Sequence, residues 1–130
     1  MSFQFFNPNP RHKRSVGDCS VRAISKVLNI PWESAYIDLA SVGFELGDMP
    51  SSNSVIDSYL RSKGFRKYAI PNDCPNCYTF NDFAEEHFRG RFLVCTGTHI
   101  AAIVDSILWD SWDSSDEIVI YFYEREEEWI

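Results

Sequence analysis

The sequence lacks any long apolar segment. No run of about 18 apolar residues, the length that indicates a membrane-spanning helix, occurs in the 130 residues. The first residues, MSFQFFNPNPRHKRS, also lack the apolar core of a secretory signal peptide. These absences predict a cytoplasmic protein without a membrane partner. In that compartment the four cysteines are expected to be thiols or metal ligands rather than disulfides.

Internal repeats, linkers and low-complexity segments are absent as well. Apolar residues make up 45% of the chain and aromatic residues 15%, which is enough for a packed core and argues against disorder. The length suits one folded unit. We therefore predict a single domain over residues 1–130.

The net charge of −7 is unevenly distributed. Residues 1–67 carry a balance of +3 and residues 68–130 a balance of −10. The acidic end, EREEE (Glu124–Glu128), repels nucleic acid. The basic run RHKR (Arg11–Arg14) is able to contact phosphate, but such a run is more often a solvated arm. We expect no nucleic-acid partner.

Residues 1–17 are predicted to be extended because NPNP blocks helix formation. Helical spacing of apolar residues then begins at Asp18 or Cys19, with Asp18 as the N-cap. A later helix begins near Pro31, another ends at Gly64, and Thr79 caps the last one. The four helices are predicted over residues 18–28, 31–42, 52–63 and 79–88.

After Gly90 the sequence changes to short segments rich in β-branched and aromatic residues, which predict strands. Short turns between them favour an antiparallel meander, and helices followed by strands indicate an α+β fold. Aromatic residues in these strands either pack in the core or line a groove for an extended peptide. The predicted strands are RFLVCTG, THIAAIV, SILWDSW and EIVIYFYE.

The motif VGDCSVRAIS places Cys19 at the first turn of a helix. A helix N-terminus lowers the pKa of a thiol, and the thiolate is the nucleophile. The neighbouring carboxylate of Asp18 opposes ionisation, so Cys19 needs a cation, most simply a histidinium. The alternative is a small buried cysteine. Arg22, one turn later, is expected to pair with an acid or to pack its aliphatic stem, and a role in substrate binding is less favoured.

Strand geometry selects His99 from the three histidines of the chain. A two-residue turn at Asp105–Ser106 puts His99, Asp110 and Trp112 on one face of a hairpin. Asp110 then lies diagonal to His99, where a carboxylate can orient the imidazole and stabilise its charged form. Trp112 is placed to shield the pair from water. The alternative is an ordinary strand histidine beside turn acids.

The segments GDCSVRAIS and THIAAIVDSILWDSWD resemble the papain-like cysteine peptidases, in particular small bacterial and phage members with a Cys–His–Asp site. The resemblance covers roughly Asn7 to Tyr123. It implies N-terminal helices followed by an antiparallel sheet, with catalytic residues Cys19, His99 and Asp110. It further implies a protein or peptide substrate, no cofactor and no metal, in a bacterial or phage-infected cell.

One part of the papain-like pattern is missing. That family usually carries an oxyanion Gln or Asn a few residues before the cysteine, and here Lys13 stands six residues before Cys19. Asn7 and Asn9 are the nearest side-chain amides, and Asn9 is a weak oxyanion candidate. The loss of one oxyanion donor typically lowers the rate by about 10²–10³.

CPNC (Cys74–Cys77) is half of a tetrahedral zinc site, and Cys95 and His87 are the remaining candidate ligands. Two free thiols in a surface loop are the default expectation.

Three functions are compatible with the sequence. The favoured one is a thiol hydrolase that cleaves a peptide, isopeptide or amide bond through an acyl-enzyme on Cys19, and transfer of the acyl group to an amine would use the same residues. The second is a papain-like fold with a weak or inactive site that acts as a binding or inhibitory protein. The third is a zinc module built on Cys74 and Cys77.

Overall fold

The computed structural model describes residues 2–12 and 16–125. Lys13, Arg14 and the acidic residues after Arg125 therefore lie outside the described residues, as do the predictions made for them. The chain forms four helices and a six-stranded sheet within these ranges, so the α+β prediction is confirmed. In chain order the elements are β1 (Ser2–Phe5), α1 (Cys19–Leu28), α2 (Trp32–Leu46), α3 (Asn53–Ser62), β2 (Phe65–Ala69), α4 (Phe80–Glu86), β3 (Arg91–Cys95), β4 (Ile100–Val104), β5 (Ile107–Asp110) and β6 (Tyr121–Arg125).

The helices begin and end close to the predicted positions. α1 begins at Cys19, and the Thr79–Asp82 capping box at the start of α4 is present in full. α2 continues to Leu46, beyond the predicted end, and stops where Gly47 takes a left-handed conformation with φ of 71°. That conformation carries no steric penalty for glycine, which lacks a Cβ.

The strands form the order β1-β5-β4-β3-β6-β2, so the predicted meander of four consecutive strands is wrong. β3, β4 and β5 are a meander, but β6 pairs with β3 on its other side. Ten residues separate β5 from β6, which is enough for the chain to cross the sheet, whereas a tight hairpin needs about 2–5. β1 pairs in parallel with β5, and β2 pairs with β6; neither strand was predicted.

Helices cover both faces of the sheet. α1, α2 and α3 pack on one face, around Ile24, Leu39 and Leu60. α4 packs on the other face through Phe80 and Phe83. Because both faces are covered, every residue of β4 is buried, which accounts for its uninterrupted apolar sequence.

The predicted turn between β4 and β5 is confirmed. Val104 pairs with Ile107, and Asp105 and Ser106 form a two-residue loop in which both have positive φ. Positive φ at both central residues is typical of the hairpin turns that match strand twist. This turn fixes the register that brings β5 against the start of β4. Within residues 2–12 and 16–125, no helix combines the length and apolar character needed to cross a membrane.

Candidate active site

Cys19 occupies the first position of α1 and lies half-buried where that helix meets the sheet. The side chain of His99 and the backbone of Ile100 in β4 lie close enough to lower the pKa of its thiol. The first N–H groups of a helix have no partner inside the helix, so they also point toward this end. The thiol therefore lies near hydrogen-bond donors and near the positive end of the helix dipole.

His99 is positioned by the short loop between β3 and β4. Its backbone N–H donates to Thr96 Oγ1 at 3.0 Å, and its carbonyl accepts from the Thr96 N–H at 2.9 Å. The ring lies near Trp112, with centroids 5.0 Å apart, and near Phe80, at 6.4 Å. Trp112 is nearly half exposed, so it packs beside the His99 ring without sealing that ring from water.

Asp110 ends β5 and lies next to His99, as the register predicts. His99 Nε2 is 2.8 Å from Asp110 Oδ2. Since Nε2 is occupied in this way, Nδ1 is the ring nitrogen available to the Cys19 thiol. The carboxylate of Asp110 also accepts from Ser114 Oγ at 2.6 Å and from the Ser111 N–H at 2.8 Å. It is only 1% exposed, so these contacts fix its orientation.

Arg22 lies between the carboxylate of Asp110 and that of Asp18, and it contacts both. Its guanidinium donates from Nη1 to Asp18 Oδ1 and from Nη2 to Asp110 Oδ1 at 3.0 Å. Arg22 is 5% exposed and Asp18 6%. The expectation that Arg22 pairs with an acid is therefore confirmed. Its charge offsets both carboxylates, including the one expected to oppose ionisation of Cys19.

The prediction that Asp18 is the N-cap of α1 is confirmed for its position, but the side chain does not form the capping hydrogen bond. It accepts instead from Arg22 and from Trp32 Nε1, the latter at 2.9 Å. A buried carboxylate is stabilised more by a guanidinium than by a neutral N–H, because a hydrogen bond between charged groups is about twice as strong. The first N–H groups of α1 thus stay available beside Cys19.

The electrostatics of the site favour a charged Cys–His pair. Burial alone would raise the pKa of Cys19, but the hydrogen bonds from His99 and Ile100 and the charges of His99 and Arg22 lower it below its ordinary value. Burial alone would lower the pKa of His99, yet Asp110 and Cys19 raise it to about 9. Each partner thereby stabilises the charged form of the other.

Asp110 stays ionised for a related reason. Burial alone would raise its pKa, but the hydrogen bonds from His99 and Ser114, with the charges of His99 and Arg22, hold the pKa below its ordinary value. The site therefore places an ionised carboxylate, a histidine with a raised pKa and a thiol with a lowered pKa in sequence. Shifts in these directions favour the charge state in which a thiol is nucleophilic.

A cavity of about 200 Å³ opens beside the thiol, and we call it the thiol pocket. Among the strand aromatics whose role was open, Tyr121 and Tyr123 line it. Tyr123 donates its hydroxyl hydrogen to Asp57 Oδ1 at 2.6 Å. The remaining wall residues include Ser20, Ser51, Asn53, Ile56, Cys95 and Thr98.

Asn9, the weak oxyanion candidate, does not line the thiol pocket. It is buried, and its Oδ1 accepts from the Arg11 N–H at 2.9 Å. It lines a separate surface cavity with Pro10 and Trp32. The structure thus brings Cys19, His99 and Asp110 together and leaves Asn9 apart from them.

The expectation of free thiols in the CPNC loop is wrong, because Cys74 and Cys77 form a disulfide. Their Cα atoms are 4.6 Å apart, inside the range of about 4.4–6.8 Å that a disulfide can bridge. Cys95 is a buried free cysteine in the sheet, and the His87 ring stacks on Phe83 with ring centroids 3.7 Å apart. Among the described residues, no group of three or more ligating side chains could hold a metal ion.

Ser114 and Thr96 were not found from the sequence, and neither was the contact between Arg22 and Asp110. Ser114 holds the carboxylate of Asp110, and Thr96 holds the backbone of His99. Ser114 follows Asp110 by four residues in DSWDS, and a serine there is too common to be diagnostic. The spacing of four residues between Asp18 and Arg22 on a helix is a signal that could have identified that pair, whereas Asp110 is 88 residues away in the sequence and no local pattern connects it with Arg22.

Comparison of the chain with protein-family models, with curated proteins and with solved structures finds no match.

Proposed function

We propose that this chain is a thiol hydrolase of papain-like type that cleaves a peptide, isopeptide or amide bond. The observation that carries the proposal is that Cys19 and His99 line one cavity, and that His99 is hydrogen-bonded to the buried carboxylate of Asp110, which Arg22 also contacts. The cysteine begins a helix, His99 directly precedes β4, and Asp110 ends the neighbouring antiparallel strand β5. That order and placement support a papain-like arrangement.

The chemistry follows from the charge state of the pair. The Cys19 thiolate attacks the carbonyl carbon, and the N–H groups at the start of α1 stabilise the developing oxyanion. His99 gives its proton to the leaving nitrogen as the C–N bond breaks, which leaves a thioester on Cys19. Asp110 keeps the ring oriented and stabilises its charged form.

The thioester is then resolved by water. His99, now neutral, accepts a proton from the water whose oxygen attacks the thioester carbonyl, and the acid product leaves as the Cys–His ion pair is restored. If an amine takes the place of water, the same residues transfer the acyl group to that amine. The thiol pocket supplies the space beside Cys19 where either acceptor can enter.

The test is the rate of iodoacetamide alkylation of Cys19 against pH, measured by peptide mass spectrometry. We expect rapid alkylation well below pH 8 in the wild type, and a loss of about tenfold or more near neutral pH in His99→Ala, since one unit of thiol pKa is a tenfold change in ionisation. His12→Ala, at an exposed histidine, is the matched control. Cys95, whose pKa burial raises, is the internal control for an inert thiol.

Two results would count against a hydrolase. One is that Cys19 titrates like an ordinary thiol, and the other is that it stays unreactive in the folded protein. Either result favours the alternative, in which the same fold acts as a binding or inhibitory protein. Equal rates in His99→Ala and the wild type would also remove His99 from the proposed role.

A further inference from the structure

The chain just before the CPNC loop holds part of the connection between β5 and β6. We call residues 115–120 of that connection the connecting segment. The Ile70 N–H donates to the Ile120 carbonyl at 2.9 Å. Asn72 Nδ2 donates to the Val119 carbonyl, also at 2.9 Å. One side of the connecting segment is therefore fixed by residues that precede the loop.

The chain just after the CPNC loop holds the same segment. The Val119 N–H donates to the Tyr78 carbonyl at 2.9 Å. The Phe80 N–H donates to the Glu117 carbonyl at 2.8 Å. The Tyr78 N–H also donates to Asn72 Oδ1 at 2.6 Å, so the two ends of the loop are joined to each other as well as to the connecting segment.

The connecting segment begins directly after a residue that holds the site carboxylate. Ser114 donates its hydroxyl hydrogen to Asp110 Oδ2 at 2.6 Å. The next residue, Ser115, accepts at its carbonyl from the Asn81 N–H at 3.0 Å. The position of Ser114 beside Asp110 therefore depends on where the connecting segment is held.

The Cys74–Cys77 disulfide closes the loop between the two ends that hold the segment. It joins residues whose Cα atoms are 4.6 Å apart. Within the loop, the Asn76 N–H donates to the Asp73 carbonyl at 2.9 Å. A cross-link across so few residues restricts the open chain by an amount that corresponds to about 20-fold in the equilibrium between the open and closed loop. The disulfide therefore favours the closed loop and, with it, the hydrogen bonds on either side.

This disulfide is accessible to a reducing thiol. Cys74 is exposed and Cys77 is half-buried, so an incoming thiolate reaches Cys74 first. Attack on Cys74 Sγ forms a mixed disulfide and breaks the S–S bond, and Cys77 leaves as a thiolate that takes up a proton. Exposed disulfides of this kind are more easily reduced than buried structural ones.

The position of Cys77 determines which class of thiol completes the reduction. After a monothiol has attacked Cys74, Cys77 is close enough to expel it and to form the original disulfide again. The second thiol of a dithiol instead attacks the dithiol's own sulfur in the mixed disulfide, and Cys74 leaves as a thiolate. Two electrons and two protons thus pass from the dithiol to the cysteine pair, and the dithiol becomes a disulfide.

We propose that Cys74–Cys77 is a redox site at which reduction by a dithiol releases the connecting segment and weakens the contact between Ser114 and Asp110. This inference goes beyond the proposed function, because reduction and release require no reaction at Cys19. For a nucleophilic Cys19, the reduced protein has the lower thiol reactivity, since Asp110 is then held less firmly.

The test compares oxidised protein, protein reduced with dithiothreitol, and the double variant Cys74→Ser/Cys77→Ser. Mass spectrometry of iodoacetamide-labelled samples shows whether the pair is reduced while the protein stays folded. Amide hydrogen exchange is then measured at the Val119, Phe80 and Asn81 N–H groups. We expect these amides to exchange about 10–20-fold faster in the reduced protein and in the double variant, in line with the effect of loop closure.

Two controls separate release of the connecting segment from general loosening of the fold. The Ile30 N–H donates to the Ser25 carbonyl at 3.0 Å at the end of α1, and its exchange rate should not change. Dithiothreitol added to the double variant should have no effect, because that variant lacks the disulfide. Unchanged exchange at Val119 and Phe80 in the reduced protein would overturn the inference. Faster exchange at Ile30 by the same factor would assign the disulfide a general structural role and would also overturn it.

Alkylation of Cys19 by iodoacetamide near pH 7 tests the link to the site carboxylate. The rate should be several-fold lower in the double variant than in oxidised wild type. Equal rates, together with faster exchange at Val119, would overturn the effect on Asp110. If Cys19 is already an ordinary thiol in oxidised wild type, the proposed function fails, whereas the exchange rates still decide whether the disulfide holds the connecting segment.

Discussion

The buried charges around Arg22 allow a quantitative test of the site. Arg22→Met removes the one cation shown between Asp18 and Asp110 and leaves two buried carboxylates without it. All three residues are at most 6% exposed. Removal of one partner from a buried salt bridge typically costs about 3–5 kcal/mol, because the remaining charge is uncompensated. A natural domain has a total stability of only about 5–15 kcal/mol.

Thermal and urea unfolding should therefore detect the change easily. For a chain of this size we expect a decrease in Tm of about 10–20 °C, from roughly 3–5 °C per kcal/mol. Arg61→Met is the matched control, because Arg61 pairs with Asp57 at the same spacing of four residues, but on the surface. It should change Tm little or not at all, since an exposed pair is screened by water.

A double variant separates the effect of charge from that of packing. Asp18→Asn removes one of the two carboxylates and keeps an oxygen that can accept from Trp32. Combined with Arg22→Met, it should lose less stability than the sum of the single changes, with a coupling of about 0.5–3 kcal/mol. Additive losses, or a loss below about 1 kcal/mol in Arg22→Met alone, would refute the reasoning from buried charge.

The pH dependence of Arg22→Met has a definite sign. In the wild type the lowered pKa of Asp110 contributes stability that is present above its ordinary pKa and lost as the pH falls through the lowered value. Without Arg22 that pKa rises, so the difference in stability between the wild type and Arg22→Met should shrink as the solution is acidified. A difference that grows in acid would contradict the role assigned to Arg22.

Three further predictions concern other parts of the site and the disulfide. The alkylation rate of Cys19 should stop depending on His99 as the pH rises through about 9, the pKa of His99, because the imidazolium then loses its proton. The stability that His99 contributes should be complete below its ordinary pKa and should be lost as the pH rises through about 9, which unfolding measurements at several pH values would show. Ser114→Ala removes the 2.6 Å hydrogen bond to Asp110 and should lower stability by about 1.5–3 kcal/mol, the range for a bond to a charged group, with a higher pH midpoint of thiol alkylation; unchanged values of both would contradict it. Denatured but unreduced protein should incorporate two alkyl groups, and reduced protein four, if Cys74 and Cys77 form the disulfide; four without reduction would refute it.

The Cys–His–Asp cluster was predictable because its register depends on local rules. The short turn at Asp105–Ser106 and the alternation of strand residues determine which side chains share a face with His99. A register error of one residue would have turned Asp110 to the other face. The helix start at Cys19 was likewise local, since a polar residue precedes a run of apolar residues at helical spacing.

The sheet order was not predictable in the same way. β6 pairs with β3 across a long connection, and β1 reaches β5 from the far end of the chain, so no turn motif records either pairing. The prediction that the Asp18 side chain caps α1 failed for a related reason. Its local preference is a helix cap, but the competing partners, Arg22 and Trp32, become available only when α1 and α2 pack together.

The parallel pairing of β1 with β5 has a practical consequence for handling the protein. Phe5 pairs with Asp110, and the Phe6 N–H donates to the Asp110 carbonyl at 2.8 Å. β1 is thus the outer neighbour of the strand that carries the site carboxylate. Deletion or displacement of β1 would make β5 an unprotected sheet edge that is open to self-association.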